Sequence, residues 1–426
     1  MEKMKNSNIE WIGNIPQKWK EKRIKDIIII LPKSDIQAGD GEDEGKYWFY
    51  TSSQELSKRI DKCLYDGDAI IMGTGGSASV NYSSELFSTS TDCFNFKTNQ
   101  YTKFVFCWLY SIKDEVINEI WFEGMGLRHL QKNDILSSHI YLPKTEEQKM
   151  IADFLENKIK KLDDILKDIN NEIELLDKYK KSLITETVLK GLNKNRKLKK
   201  SNIEWIGDIP KDWTCKKIKN IITNDKNGIK VGPFGSSLKD IVVGENEGKY
   251  KIYGQANLIR KDFEYGDNFV TEKDYKRLIN YEVLPNDIAV SMMGTIGKCC
   301  VVPKNIKKGI MDSHLIKIRL KDDIVPKYFE YQYESNAIYE QLLYFSNGSI
   351  MNGLNSTIVS NIYLTIPDII EQQKIVDYLD RKCEEINVLI EDKKKQLEKM
   401  EQYKKSLIYE YVTGKKRVKG AEELYG

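Results

Sequence analysis

Ten residues, Ser7-Asn-Ile-Glu-Trp-Ile-Gly-Asn-Ile-Pro16, followed by Trp19, return 194 positions later as Ser201-Asn-Ile-Glu-Trp-Ile-Gly-Asp-Ile-Pro210, followed by Trp213. A second phrase, Tyr179-Lys-Lys-Ser-Leu-Ile184, returns as Tyr403-Lys-Lys-Ser-Leu-Ile408, now at an offset of 224. The chain is therefore one unit written twice, with matching ends and diverged middles. Two near-identical frames around unlike inserts are expected of a molecule that presents two different binding faces.

Further echoes keep the same order. Glu44-Gly-Lys-Tyr47 matches Glu247-Gly-Lys-Tyr250 at an offset of 203, the Gly-Thr of Asp68-Ala-Ile-Ile-Met-Gly-Thr74 matches that of Asp287 to Thr295 at 221, and Asp92 matches Asp312 at 220. The climb in offset, from 194 to 224, puts about 30 extra residues in the second insert, most of them before its Gly-Thr. The expected division is a first globular domain over 1–143, a long helix over 144–192, a linker and restart over 193–213, a second domain over 214–366, a second long helix over 367–415 and a tail over 416–426. Within both globular parts, short apolar runs such as Ala69 to Met72 and Leu315 to Ile318 alternate with Gly, Asn, Asp and Ser, which reads as α+β.

The helices are explicit. Thr145-Glu-Glu-Gln148 and Asp368-Ile-Ile-Glu371 have the spacing of capping boxes, and Gly191 and Gly414 are natural terminators. Cap to glycine is 46 residues in both copies, about 65 to 70 Å if continuous. In the first helix Leu155, Ile159, Leu162, Leu166, Ile169, Ile173 and Leu176, extended by Tyr179 and Leu183, alternate steps of four and three, as a coiled-coil seam does. The second repeats it with Leu379, Cys383, Ile386, Ile390, Leu397 and Met400, extended by Tyr403 and Leu407, and only Lys393 breaks the register. Such stripes usually mark core faces of separate domains. The preserved register favours two helices packed on each other as a rigid spacer.

Composition bounds what the chain does. With 426 residues and 40% hydrophobic content it has room for two or three domains with sizeable cores. Ile27 to Leu31 is far too short to span a bilayer and Met1-Glu-Lys-Met-Lys is no secretory signal, so a cytoplasmic, soluble protein is expected. Seven cysteines form no CxxC pair, which argues against a disulfide framework. A formal charge of +3 leaves any polyanion-binding face to local clustering.

A search for catalytic chemistry returns little. Gly294-Thr-Ile-Gly-Lys298 has the wrong spacing for a phosphate loop, and Gly73-Thr-Gly-Gly76 is not a dinucleotide fingerprint. His129, His139 and His314 lack a second ligand-type residue at metal spacing, so no metal site is expected. The pattern favours a binding subunit over an enzyme, with no catalytic residue and no cofactor in this chain.

Binding signals are better. In the second insert, Gly232-Pro-Phe-Gly-Ser-Ser-Leu-Lys239 offers a tight turn with Ser236, Ser237 and Lys239, and Tyr253 to Arg260 adds Gln255, Asn257 and Arg260, side chains able to make bidentate contacts with purine edges. Lys273, Lys276, Arg277 and Lys298 suit phosphates. The first insert carries Ser52, Ser53, Gln54, Lys58, Arg59, Ser77, Asn81 and Tyr82 in corresponding stretches, chemistry suited to a different sequence preference. Against this stands the plain reading that the Gly-Pro-Phe-Gly stretch is only a turn and the lysines are only solvated.

With Trp-Ile-Gly-x-Ile-Pro-x-x-Trp at both unit starts, Gly-Pro-Phe-Gly-Ser-Ser-Leu-Lys, Met293-Gly-Thr-Ile-Gly-Lys298, and Glu147-Gln-Lys149 echoed by Gln373-Lys374, the chain resembles the specificity subunit of type I restriction-modification systems over nearly its whole length. The first insert departs from that pattern, reading Met72-Gly-Thr-Gly-Gly-Ser77 and lacking the Gly-Pro-Phe-Gly turn. The resemblance implies two mixed α/β target recognition domains separated by two long antiparallel helices in a pseudo-twofold repeat. It implies recognition of a bipartite, asymmetric site on double-stranded DNA, one half per domain. It also implies two modification subunits using S-adenosylmethionine and two restriction subunits using ATP and Mg, with none of those cofactors held here. The competing expectation is a non-catalytic coiled-coil adaptor whose inserts bind peptide or glycan, which would show no salt-dependent association with duplex DNA. A weaker rival, an enzyme with an unrecognised site in one insert, would be active as the purified chain alone.

Overall fold

The computed structural model describes residues 3–124, 126, 128–224, 228–239, 241–292, 298–346, 354–421 and 424. In it the repeated Ser-Asn-Ile-Glu-Trp-Ile-Gly phrase takes one conformation twice. Met4–Asn6 pairs with Asn14–Pro16, and Leu198–Lys200 pairs with Asp208–Pro210, as antiparallel hairpins. Between the strands Asn8 and Asn202 sit at φ 60° and 59°, and Gly13 and Gly207 both at φ 68°. Asparagine and glycine are the residues that enter this left-handed region at least cost. The turn closes through Ser7 N–H to Gly13 O at 2.9 Å and Ser201 N–H to Gly207 O at 3.1 Å, so the shared sequence is explained by a shared turn.

The chain divides into two compact units, residues 1–170 with 394–426, and residues 171–393. In the first, a four-stranded antiparallel sheet runs Ile28–Ile30, Cys93–Thr98, Ala69–Gly73, Val80–Ser83, and a three-stranded sheet runs Lys58–Ile60, Tyr47–Tyr50, Phe87–Thr89. In the second, the corresponding orders are Ile229–Val231, Leu315–Ile318, Ile288–Ser291, Cys299–Val301, and Phe269–Val270, Tyr250–Tyr253, Gly309–Met311. In each three-stranded sheet the central strand is antiparallel to one neighbour and parallel to the other. Unlike inserts thus fold to one topology.

Beside these sheets lie helix α1 (Thr102–Ser111) in the first unit and α3 (Pro326–Tyr333) in the second. The two long helices are α2 (Thr145–Lys190) and α4 (Ile369–Val412), and each unit takes part of both. They run antiparallel. In the first unit Asp163 pairs with Lys404 while the earlier Phe154 packs against the later Tyr411, ring centroids 4.6 Å apart. In the second, Glu172 pairs with Lys393 and Lys180 with Asn387.

Burial along the expected seam is uneven. Leu155, Leu162, Ile169, Leu379, Cys383, Ile386 and Ile390 are buried, while Ile159, Leu166, Ile173, Leu176, Leu397 and Met400 are half-buried. Its extension through Tyr179 and Tyr403 is corrected: these are 58% and 53% exposed, and the apolar contact passes to Ile184 and Val188 in the second unit and Ile408 and Val412 in the first. Lys393, out of place on an apolar stripe, answers Glu172 across the pair.

The glutamines at the helix starts do something other than close capping boxes. Gln148 is buried, accepts from Tyr101 N–H at 3.1 Å just before α1, and donates to Gln100 Oε1 at 3.1 Å and Pro143 O at 3.0 Å. Gln372, its counterpart at offset 224, accepts from Val325 N–H at 2.8 Å just before α3, and donates to Asp323 O at 3.0 Å and Pro367 O at 3.1 Å. Each glutamine ties its long helix to the start of the shorter one. Asp368 does cap α4, accepting from Glu371 N–H at 2.9 Å, but Glu371 does not return the bond; its carboxylate takes the indole N–H of Trp213 at 2.9 Å and pairs with Arg196. In the first unit Glu147, fully buried, pairs with Arg417 at 2.6 Å.

The terminating glycines behave as expected and add a contact. Gly191 and Gly414 have φ of 73° and 71°. A Cβ on Gly191 would lie 3.1 Å from the Trp213 ring, and one on Gly414 would lie 2.5 Å from Pro16 and 3.0 Å from Trp19. The open carbonyl of Val188, near the end of α2, accepts from Thr365 Oγ1 at 2.6 Å and Gln332 Nε2 at 3.2 Å. Replacing Gln372 by Leu strands one buried N–H and two carbonyls, so we expect a loss of about 3 kcal/mol, read as a lower denaturant midpoint. An unchanged midpoint would show the latch to be dispensable.

Candidate nucleic-acid interface

Adjacent parallel strands deliver their following loops to the same edge of a sheet, where ligands of α/β proteins commonly sit. Both units contain one such pair. In the second, Tyr250–Tyr253 lies beside Gly309–Met311 with Tyr253 opposite Met311, and Asp312 N–H donates to Tyr253 O at 2.8 Å. In the first, Tyr47–Tyr50 lies beside Phe87–Thr89 with Tyr50 opposite Thr89, and Ser90 N–H donates to Tyr50 O at 2.8 Å. The backbone therefore makes Ser90 the counterpart of Asp312, not Asp92 as the sequence offsets suggest.

In the second unit these loops border a cleft of about 620 Å³ whose lining includes Ser236, Lys239, Gln255, Asn257, Asp312, Ser313 and His314. The loops are pressed together. A Cβ on Gly254 would lie 2.6 Å from Asp312 Oδ2, and one on Gly232 only 1.7 Å from Asp312 O. Asp312 accepts from His314 N–H at 2.8 Å and stands 3.5 Å from His314 Nδ1, with Ser313 Oγ 3.4 Å from that nitrogen. Burial raises the Asp312 carboxyl above its ordinary value, and the His314 contacts oppose the rise. The result is a polar recess offering hydroxyl, amide, imidazole, carboxylate and ammonium groups, the set that reads base edges and holds phosphates.

A family model described as Type I restriction modification DNA specificity domain matches residues 16–175 and again 189–399. The chain is 24% identical over 421 residues to the type I restriction enzyme MjaVIII specificity subunit of Methanocaldococcus jannaschii, covering 95% of this chain and 94% of that one. It is 24% identical over 267 residues to the EcoBI specificity subunit of Escherichia coli, covering 59% and 53%. A chain from a solved type I restriction-modification assembly, studied for complex assembly and conformational transition, shares the fold with a TM-score of 0.64 at 13% identity, covering 93% of this chain and 98% of that one.

The chain belongs to the type I restriction-modification DNA specificity family. It is a specificity subunit, non-catalytic, in which the family domain occurs twice. These similarities give no support to the adaptor alternative. Among the described residues no helix is long and apolar enough to cross a membrane.

Within this specificity subunit, the residues singled out from sequence divide by placement. Ser236, Lys239, Gln255 and Asn257 come together at the cleft. Ser237 stands beside it, its carbonyl 3.4 Å from the Arg277 guanidinium. Arg260 is exposed and lies 4.2 Å from the ring of Tyr265, another lining residue. Lys273, Lys276 and Arg277 share the helix Glu272–Arg277 and are exposed; Lys276 pairs with Glu272 at 2.8 Å and Arg277 with Asp274 at 3.2 Å. Lys298 is exposed before Cys299, while Met293 to Gly297 lie outside the described residues.

Asn257 is corrected. It is only 4% exposed, its Oδ1 accepts from Gly254 N–H at 2.9 Å, and its Nδ2 donates to Asp262 O at 3.0 Å and Tyr265 O at 2.9 Å. With the amide spent on backbone it shapes the recess and has nothing left to read a base.

In the first unit Ser52, Ser53 and Gln54 occupy the loop after Tyr50. Ser52 Oγ donates to Asp92 O at 2.7 Å, Ser53 Oγ accepts from Glu55 N–H at 3.2 Å, and Gln54 Nε2 donates to Ala78 O at 3.4 Å. Ser77, exposed, is next to that carbonyl's residue. Lys58 and Arg59 lie on the neighbouring strand and are engaged within the fold: Lys58 donates to Gly41 O at 2.9 Å, Arg59 to Gly45 O at 3.1 Å, and Arg59 stacks 4.0 Å over Trp48. Asn81 is half-buried on Val80–Ser83. Tyr82 is corrected: it packs on Phe106 of α1 at 5.8 Å and donates to Asp68 at 3.1 Å, and burial, then Asp68, pushes its phenol upward. Half-buried, the ring lies against the outer side of α1.

Sequence reasoning missed Asp312, Ser313 and His314 as a group. The available signal was the parallel strand pair, which only the fold reveals. We expect Asn257→Ala to cost about 2 kcal/mol in stability while leaving the salt dependence of DNA binding unchanged. Lys273→Ala should leave stability alone and lower the slope of log K against log salt by about one. Denaturation and binding titrations over salt check both.

Proposed function

We propose that this specificity subunit reads a bipartite, asymmetric site on double-stranded DNA, residues 1–143 taking one half and 214–366 the other. The observation that carries this reading is the pair of identical sheet topologies whose parallel-strand loops bear unlike chemistry: Ser52, Ser53 and Gln54 in one, Gln255, Asp312 and His314 in the other. Equal frames let two copies of one partner dock equivalently; unequal loops break the symmetry of the site.

In this reading residues 144–192 and 367–415 set the length of the unread spacer, since long helices resist compression and a turn of B-DNA is about 34 Å. Two modification subunits supply S-adenosylmethionine-dependent methylation, and two restriction subunits supply ATP- and Mg-dependent translocation and cleavage. The base-facing groups are Ser236, Lys239, Gln255 and Arg260 in the second domain and Ser52, Ser53, Gln54 and Ser77 in the first. Lys273, Arg277 and Lys298 face phosphates, and Lys58 and Arg59, already held by backbone carbonyls, shape the sheet beneath.

The test uses the assembled complex. Four residues inserted at Asn170 add about 6 Å of helix and should lengthen the methylated spacer while preserving both half-sites. Exchange of 214–366 for the same segment of a relative should change one half-site alone. Sequencing of methylated DNA reads both; an unchanged spacer, or change in both halves, would contradict the proposal.

A further inference from the structure

Phe234 is the most exposed large apolar side chain among those described, at 85%. It is not on a loose loop. Gly232 N–H donates to Leu315 O at 2.8 Å, Pro233 is buried, and Ser237 N–H donates to Phe234 O at 2.7 Å. Gly232 has no room for a side chain, because Asp312 O would lie 1.7 Å from its Cβ. The foot of the turn is thus locked to the segment that carries His314, and Phe234 leads directly into Gly235 and Ser236, which line the polar cleft.

An aromatic ring held out in water by a rigid turn forgoes about 2 kcal/mol of burial, a loss recovered only when something covers it. Preorganisation removes most of the ordering cost of that event. The first unit offers a comparison at the same position. There the strand Ile28–Ile30 ends in the same way, with Leu31 N–H donating to Asn95 O at 2.9 Å, followed by Pro32, whose carbonyl accepts from Tyr65 at 2.7 Å. The residue after that proline is Lys33, exposed, in place of Phe234. A tip that is a cation in one domain and an aromatic ring in the other fits one polymer that offers both phosphates and base faces. An apolar protein groove would have no use for the lysine.

We propose that Phe234 is a wedge that packs its ring on a base within the half-site read by the second domain, unstacking one step beside the bases contacted from the cleft, while Lys33 meets phosphate at the equivalent place in the first. This rests on the DNA-reading function above. Proteins that insert phenylalanine between base steps unstack them in this manner.

The experiment compares the full complex carrying Phe234, Phe234→Ala or Phe234→Trp on duplexes in which 2-aminopurine is moved through the second half-site. Wild type should brighten at one position. Phe234→Ala should abolish that signal and weaken specific binding about tenfold, with complex assembly intact by size-exclusion chromatography. Phe234→Trp should retain both signal and affinity. Equal affinity and equal signal for Phe234→Ala would overturn the wedge, as would loss of partner subunits from that variant, which would mark the ring as a protein contact. Failure of the wild-type complex to bind specific duplex at all would instead sink the DNA-reading function, and the wedge with it.

Discussion

Each unit is finished by the end of the other repeat's long helix and the residues that follow it. In the first, Trp19 is covered by Gly414, and buried Glu147 is met by Arg417; in the second, Trp213 is covered by Gly191, and Glu371 is met by Arg196. A carboxylate taken out of water needs a cation and hydrogen bonds. Here both stand in the first turn of a long helix, where the helix dipole also favours negative charge. The glycines let a helix end approach an indole closely, and the tryptophans fill what remains. This reciprocal arrangement explains why the Trp-Ile-Gly-x-Ile-Pro-x-x-Trp phrase, the Glu at the helix start and the terminal Gly are kept in both copies while the inserts drift.

On that frame the inserts diverge in sequence while holding one topology. The sheets keep their strand orders and even the single hydrogen bond that follows the parallel pair, from Ser90 or Asp312. What changes is the side chains at the strand exits: serines and a glutamine on one side, an aspartate-bound histidine, a glutamine and an anchored phenylalanine on the other. A specificity subunit has to change what it reads without disturbing how it is held. Carrying unlike loops on a fixed sheet edge meets that demand, since loop residues carry little of the packing.

Much of this was legible beforehand, for identifiable reasons. The duplication, both helices and their terminating glycines were visible because periodicity and backbone φ are local properties. The seam failed only at Tyr179 and Tyr403, where amphipathic rings satisfy the spacing yet stay in water. Gln148 has the spacing of a capping residue, but its backbone partner, Tyr101, lies 47 residues away in sequence; the partner of Gln372, Val325, is equally distant and equally hidden. Asn257 and Tyr82 looked like contact residues by type, but whether an amide or phenol is spent inside the fold depends on neighbours that sequence does not order. The recess around Asp312 and His314 was invisible for the same reason: it exists only because two distant strands are parallel neighbours.

If one chain reads DNA in two unlike pieces, the methylation left by its complex must be bipartite. Single-molecule methylation sequencing of DNA exposed to the complex built with this chain measures that directly. It should return one motif made of two short, different, non-palindromic blocks separated by a fixed number of unread bases. A contiguous or palindromic motif would contradict it.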